Sequence, residues 1–370
     1  MTSPAIESSG LVGQAILQGG LSRRTAVIVR DGRISEVVEY PRSGDLPKKW
    51  REVPGVICPG FIDLQINGAF GVDVGPEPEA LKTLSQELPK TGTTSFLPTL
   101  ISSPAKRYAR FMEALEEASQ APGARILGAH LKGPFLSHAR KGAHDPENLR
   151  PVDLGLLKEM LGPGLVRLMT LAPELPGAGK VAEIIREGGA VASVGHTDAT
   201  YEEVVRAFDG GFTKATHLYN AMSPFMHRAP GAVGAILDDA RAWAGIIVDG
   251  VHVHEGALRI AYRQKGPDGL ILVTDAMEAA GMPSGDYELS GREGRLQDRV
   301  VRLRDGTIAG SALTMDRAVR NAVAVLGIPL SDAVRMASEN PARALGNPEK
   351  GRIASDADAD LVILGRDRNV

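Results

Sequence analysis

Eight short apolar runs, separated by amphipathic helical stretches, constrain this chain more than any other feature. They are Val56 to Leu64, Thr94 to Leu97, Ile126 to Leu131, Val166 to Leu171, Ala190 to Val194, Lys214 to His217, Trp243 to Val248 and Leu270 to Thr274. Runs of this length read as strands, and their near-continuous apolar character marks strands covered on both faces, as in a parallel sheet. Between them, Leu154 to Met160, Lys180 to Glu187 and Tyr201 to Asp209 carry helical periodicity. Eight alternations of strand and helix give the count of a closed (β/α)8, TIM-like barrel in the α/β class. An open doubly wound sheet shares this rhythm, but it carries a glycine-rich dinucleotide loop after its first strand. No such loop follows Leu64 here.

The flanks have another character. Thr25 to Arg30 and Ile34 to Val38 enclose Asp31-Gly32, a hairpin turn signal. Val300 to Arg304, followed by Asp305-Gly306, and Leu361 to Leu364 are similar near the other end. The reading is one small β-sandwich domain built from both chain ends. Residues 1–54 and 346–370 supply it, and residues 55–345 form the barrel. A chain of 370 residues, 43% hydrophobic, suits a barrel plus a small second domain.

Charge and cysteine content narrow the function. There are 42 Lys and Arg against 45 Asp and Glu, a net charge of −3. That balance speaks against a nucleic-acid partner, which calls for a clustered basic excess. No apolar run reaches the roughly 18 residues of a membrane span, and the N-terminus lacks the pattern of a secretory signal. The single cysteine, Cys58, lies in an apolar run and reads as core. One cysteine forms no internal disulfide, so a cytoplasmic location is expected.

In a barrel, active sites sit at the C-terminal ends of the strands. Most runs end in a polar or ionisable residue: Gln65 and Asn67, Thr99, Lys132, Glu174, His196, His217, Asp249 and His252, and Asp275. His196 and His217 close successive strands and so become neighbours at the barrel mouth. Two imidazoles there suit a zinc-like ion, at about 2.0–2.1 Å per nitrogen. They equally suit two satisfied core histidines. Asp275, after four apolar residues, reads as a general base, as a salt-bridged carboxylate or as a helix N-cap. Arg228, in a loop flanked by Gly and Pro, reads as a phosphate contact or as a solvated charge.

The order and spacing of several segments are specific in combination. They are Pro59-Gly60-Phe61-Ile62-Asp63-Leu64-Gln65-Ile66-Asn67-Gly68, His130-Leu131-Lys132-Gly133-Pro134, Lys141-Gly142-Ala143-His144-Asp145-Pro146 and Gly195-His196. They continue with Ala215 to Met222, Asp249-Gly250-Val251-His252, Val273-Thr274-Asp275-Ala276 and Ala309 to Met315. In these the chain resembles the N-acetylglucosamine-6-phosphate deacetylases of the amidohydrolase superfamily. The resemblance implies hydrolysis of N-acetyl-D-glucosamine 6-phosphate to glucosamine 6-phosphate and acetate. It implies one divalent metal ion, zinc by its ligand types, held by His196 and His217. Asp275 would be the general base, and His144 would polarise the acetyl carbonyl. Ala143, Asn220, Ala221, Arg228, Asp249, His252, Ile308, Ala309 and Gly310 would bind substrate. The contact from His252 would cross the interface of a homodimer.

Two departures qualify these expectations. Where many amidohydrolases have His-x-His after the first strand, this chain has Gln65-Ile66-Asn67. Part of the deacetylase family shares that pattern and works with one metal. The resemblance also places a metal-binding glutamate where this chain has Lys132. Three readings follow: a lost or weakened metal site, a metal held by the histidines and waters, or a lysine carboxylated by CO₂. Two other functions stand beside the deacetylase reading. One is an amidohydrolase of cyclic amides, and the other is a sugar-phosphate-binding protein impaired in catalysis.

Overall fold

A computed structural model describes residues 8–40, 46–289, 292–304, 306–365 and 367–370. Its centre is a parallel barrel of eight strands among the described residues. They are β1 (Phe61–Ile66), β2 (Thr93–Ile101), β3 (Ala129–Lys132), β4 (Val166–Leu171), β5 (Val191–Val194), β6 (Lys214–Ala215), β7 (Trp243–Ile246) and β8 (Leu270–Leu272). Each pairs in parallel with the next. A parallel bridge between Ile66 and Ala276, with Asp275 N–H donating to Gln65 O at 2.9 Å, closes the ring.

Every residue of β1 is buried, as expected of strands packed between a filled interior and an outer layer of helices. That layer is α1 (Pro78–Glu87), α2 (Ala105–Ala118), α3 (Leu154–Leu161), α4 (Ala178–Glu187), α5 (Tyr201–Asp209), α6 (Gly231–Asp238), α7 (Glu255–Gly269) and α8 (Met315–Leu326). Helix α5 shows why the helical readings succeed. Thr200 and Glu203 form a capping box at its start. Val204, Ala207 and Phe208 form its buried face.

The chain ends build a second sheet in the order Leu361–Leu364, Trp50–Pro59, Ser9–Leu17, Thr25–Arg30, Arg33–Glu39. The hairpin turn falls on Asp31 and Gly32, with φ of 52° and 73°, the left-handed pair that an Asp-Gly turn supplies.

Two strand expectations are corrected. The run Val56 to Leu64 is not one strand. It divides at Gly60, so that Trp50–Pro59 joins the second sheet and Phe61–Ile66 begins the barrel. A β-carbon at Gly60 would stand 2.0 Å from Thr94 Oγ1, so only glycine fits the turn between the sheets. Nor does Val300–Leu303 join the sheet of the chain ends. It pairs with Arg292–Gln297, which pairs with Gly285–Leu289, in a separate antiparallel sheet between β8 and α8. The local turn at Asp298 and Arg299, both at positive φ, satisfies its backbone nearby. Asp305 of the expected turn lies outside the described residues.

Candidate active site

The barrel mouth opens into a cavity of about 390 Å³. His196 follows β5, His217 follows β6 and Asp275 follows β8, and all three line this cavity. All three also hold positive φ, at 49°, 35° and 48°. Left-handed backbone costs a non-glycine residue about 1–3 kcal/mol and collects at functional sites. Backbone hydrogen bonds hold the conformation: Ser137 N–H to His196 O at 2.9 Å, Asn220 N–H to His217 O at 3.0 Å and Ser311 N–H to Asp275 O at 2.8 Å.

The two imidazoles face each other, Nε2 to Nε2 at 3.0 Å. His196 Nδ1 lies 2.9 Å from Arg140 O. A carbonyl only accepts, so the His196 proton sits on Nδ1 and its lone pair on Nε2. Burial, then the Lys132 charge, pulls His196 down to about 3. The same two causes hold His217 well below its ordinary range. Both rings are therefore neutral at physiological pH.

His144 stands beside them, its ring centroid 4.5 Å from that of His196. The backbone N–H of Ser102 donates to its Nδ1 at 3.3 Å, with Ser102 Oγ at 2.9 Å. Nδ1 thus accepts, and the proton of the neutral ring lies on Nε2. That nitrogen is buried and has no hydrogen-bond partner among the described residues. Burial, the neighbouring histidines and Lys132 keep the ring well below its ordinary range. His144 is thus a neutral donor at the cavity wall.

Asp275 accepts from Asn67 Nδ2 at 2.8 Å and pairs with Lys132 Nζ at 3.2 Å. The two charged side chains are 7% and 8% exposed. Burial alone would raise the Asp275 carboxyl, but the Lys132 charge and the Asn67 hydrogen bond outweigh it and hold it below its ordinary value.

These side chains do not fit a tightly held divalent ion. Among the described residues, no three His, Cys, Asp or Glu side chains converge as a metal-binding group. His196 and His217 offer two nitrogens. The remaining carboxylate, Asp275, is already ion-paired with a buried ammonium. A dication about 4 Å from that ammonium, at an effective dielectric near 20, meets a repulsion of about 8 kcal/mol. That repulsion cancels, to the same order, the attraction that the Asp275 carboxylate offers at similar range, so a dication is left with two neutral imidazoles.

Of the other sequence candidates, Ala143, Asn220, Ala221, His252, Ile308, Ala309 and Gly310 line the cavity. Gly310, at φ 58°, passes so close to Met277 that a β-carbon would stand 2.3 Å from its Cγ. Asp249 is not among the lining residues. Its carboxylate accepts from the backbone N–H of Val251 and His252 and from His252 Nδ1 at 2.7 Å, which orients that ring. His252 lines this chain's own cavity, whereas the resemblance implies a contact across a dimer interface. Arg228 is exposed and stands apart from the cavity lining.

Three contributors escape the sequence reading. Strand β2 runs on to Ile101, so the polar residue at its end is Ser102, not Thr99. Thr99 turns inward instead, with its Oγ1 3.2 Å from His130 Nδ1. Arg107, in the first turn of α2, is the guanidinium that does line the cavity. Glu174, noted only as a polar strand end, accepts from Thr197 Oγ1 and Asp198 N–H and so braces the loop behind His196.

The geometry can be set beside known proteins. The model of the Amidohydrolase family matches residues 56–370. The N-acetylglucosamine-6-phosphate deacetylase of Lysinibacillus sphaericus is 37% identical over 93% of this chain and 90% of that protein. The N-acetylgalactosamine-6-phosphate deacetylase of Escherichia coli O157:H7 is 38% identical over 79% of this chain and 78% of that protein. The crystal structure of the N-acetylglucosamine-6-phosphate deacetylase from Pasteurella multocida superposes with a TM-score of 0.92 at 33% identity, covering 98% of this chain and 97% of that one. The chain belongs to the amidohydrolase family, in the group of the N-acetylglucosamine-6-phosphate deacetylases.

Proposed function

We propose that this protein hydrolyses N-acetyl-D-glucosamine 6-phosphate to D-glucosamine 6-phosphate and acetate. The observation that carries the reading is the buried, ionised Asp275 at the barrel mouth, set in a cavity among neutral histidines. Asp275 accepts a proton from a water as its oxygen attacks the acetyl carbonyl carbon. His144 Nε2–H donates to the oxyanion that develops on the carbonyl oxygen. The C–N bond then breaks, and the proton on Asp275 passes to the leaving amine. Asn220, Ala221 and Ile308 to Gly310 contact the sugar, and His252, steered by Asp249, contacts the phosphate. Arg107 joins the phosphate contacts, because it lines the cavity and guanidinium suits a phosphate dianion.

Metal-activated hydrolysis is general for the amidohydrolase family. The expectation of one zinc ion at His196 and His217 meets a donor set here that does not complete the site, so no step above runs through a metal. No helix among the described residues is long and apolar enough to cross a membrane. A cytoplasmic homodimer is part of the reading. Exposed Phe225 and Met226, in the same loop as Arg228, support a contact with a second copy.

The test is acetate release from N-acetylglucosamine 6-phosphate and from unphosphorylated N-acetylglucosamine. The phosphorylated sugar is expected to turn over with a much higher kcat/KM, and equal values would sink phosphate recognition. Similarity to the Escherichia coli galactosamine enzyme favours a second reading, in which the C4 epimer is the substrate. N-Acetylgalactosamine 6-phosphate in the same assay decides between them. Replacement of Asp275 by Asn is expected to lower kcat by about 10²–10⁴.

A further inference from the structure

The cation at the centre of this site is a side chain. Lys132 is the last residue of β3. It points into the space that His196, His217 and Asp275 surround, and all four line one cavity. Its Nζ lies 3.2 Å from Asp275 Oδ1, and both side chains are almost wholly buried. The pair is neutral as a unit, and the rings of His196 and His217 bear on one another. Among the described residues lining the cavity, the other carboxylate is Asp145, which is exposed and accepts from Glu147 N–H and Asn148 Nδ2. The nearby Asp63 is committed elsewhere, accepting from Gln65 N–H, Thr274 N–H and the Thr274 hydroxyl.

We propose that the Lys132 ammonium is the resident cation of the active site, standing in for the divalent ion used across the amidohydrolase family and excluding such an ion from tight binding. It neutralises Asp275 in the resting site. As water attacks, Asp275 takes a proton and loses its charge. The positive charge of Lys132 is then free to face the oxyanion forming on the acetyl oxygen, beside the His144 donor. When the amine leaves with the proton from Asp275, the ion pair re-forms. Charge balances at every stage with one positive charge, and no further reactant is needed. This catalytic part rests on the deacetylase reading, whereas the exclusion of metal does not.

The geometry also opposes a carboxylated Lys132. A carbamate on Nζ would place a second anion against the Asp275 carboxylate in a buried site, and like charges at that range cannot both stay ionised. It would also remove the only counter-charge that Asp275 has within ion-pairing distance among the described residues.

The experiment uses the full-length protein, purified without chelator and analysed for transition metals. Intact-mass measurement and zinc-dependent melting accompany it. The parent is expected to carry less than about a tenth of an equivalent of metal, to show no mass increase of one CO₂ and to melt at the same temperature with and without micromolar zinc. Lys132→Glu, which turns the cage into two imidazoles and two carboxylates, is expected to carry about one equivalent and to gain zinc-dependent melting. Lys132→Gln adds no ligand. It removes the charge and frees Asp275, so it is expected to bind zinc more weakly than Lys132→Glu but more tightly than the parent, and, freed of metal, to lose kcat about 10²–10³-fold with KM changed only a few-fold. About one equivalent of metal in the parent, or a CO₂ adduct on Lys132, would overturn the proposal, and neither measurement depends on a variant folding. Acetate release is scored separately. A metal-free parent that releases acetate unaffected by chelator supports both readings. A metal-free parent that releases none overturns the deacetylase reading and leaves the resident cation standing.

Discussion

At the scale of the residue, the tautomer of His144 is fixed from behind. The Ser102 N–H can only donate, so His144 Nδ1 must accept and Nε2 must carry the proton. Because burial keeps the ring neutral, its role is that of a hydrogen-bond donor and not of a proton source. Donors of this kind contribute most when charge develops in the transition state. His144→Ala is therefore expected to lower kcat about 10²–10³-fold while KM changes little. His144→Gln, whose amide can donate from a similar place, is expected to recover part of the loss. A KM effect alone in His144→Ala would instead make His144 a ground-state contact. His196, His217 and Asp275 were legible in sequence because each closes an apolar run, whereas His144, in a polar loop, was named through the resemblance alone. Ser102 was not, because the apolar run stops at Leu97, four residues before β2 ends at Ile101, and so makes Thr99 look like the polar strand end. Arg107 was not, because an arginine in the first turn of a helix gives no local sign of which way its side chain runs.

At the scale of the element, Asp63 ties β1 to β8 where the barrel closes. Its carboxyl group takes hydrogen bonds from Gln65 and Thr274, yet burial pushes it up to about 7. The folded state therefore holds a proton that the unfolded chain, with an Asp value near 3.9, releases. At this group the folded state binds more protons than the unfolded one between about pH 4 and 7, so its contribution to stability falls as pH rises through this window and is level above it. The full contribution is on the order of 4 kcal/mol. The buried histidines act the other way below about pH 6.5, since His130, His144, His196 and His217 are held neutral in the fold and take up protons on unfolding. Asp63→Asn, neutral throughout, is therefore expected to make stability rise more steeply with pH between about pH 5 and 7. An unchanged slope would show that Asp63 does not oppose the histidines. That window stays clear of Lys214, whose burial lowers it to about 7 and whose effect falls at higher pH. The eight-strand count was legible because each barrel strand is apolar on both faces and separated from the next by a helix. The division at Gly60 was not, since the apolar run continues across it and only the close approach of Thr94 reveals two sheets. Nor was the pairing of Val300–Leu303, because an apolar strand carries no label for its partner.

At the scale of the whole molecule, two guanidinium groups compete for the phosphate, and they answer to different assemblies. Arg107 lines the cavity of its own chain. Arg228 is exposed in a loop with Phe225 and Met226, which are 62% and 57% exposed. A two-fold contact with a second copy would cover these residues, and one reading is that it sets Arg228 at the neighbour's barrel mouth. If Arg228 serves the neighbour's site, each site needs Asp275 from one chain and Arg228 from the other. Arg228→Met and Asp275→Asn proteins would then each be inactive alone. After mixing and subunit exchange, half of the dimers would be hybrids. Each hybrid would hold one intact site, so about a quarter of parental activity is expected to return. If Arg107 alone reads the phosphate, Arg228→Met stays active on its own, Arg107→Met raises KM for the phosphorylated sugar, and mixing restores nothing. Sedimentation of the Phe225→Ser, Met226→Ser double variant separates the two outcomes further. Loss of the dimer together with loss of activity assigns the phosphate to Arg228. A fully active monomer assigns it to Arg107 and makes each barrel a complete enzyme.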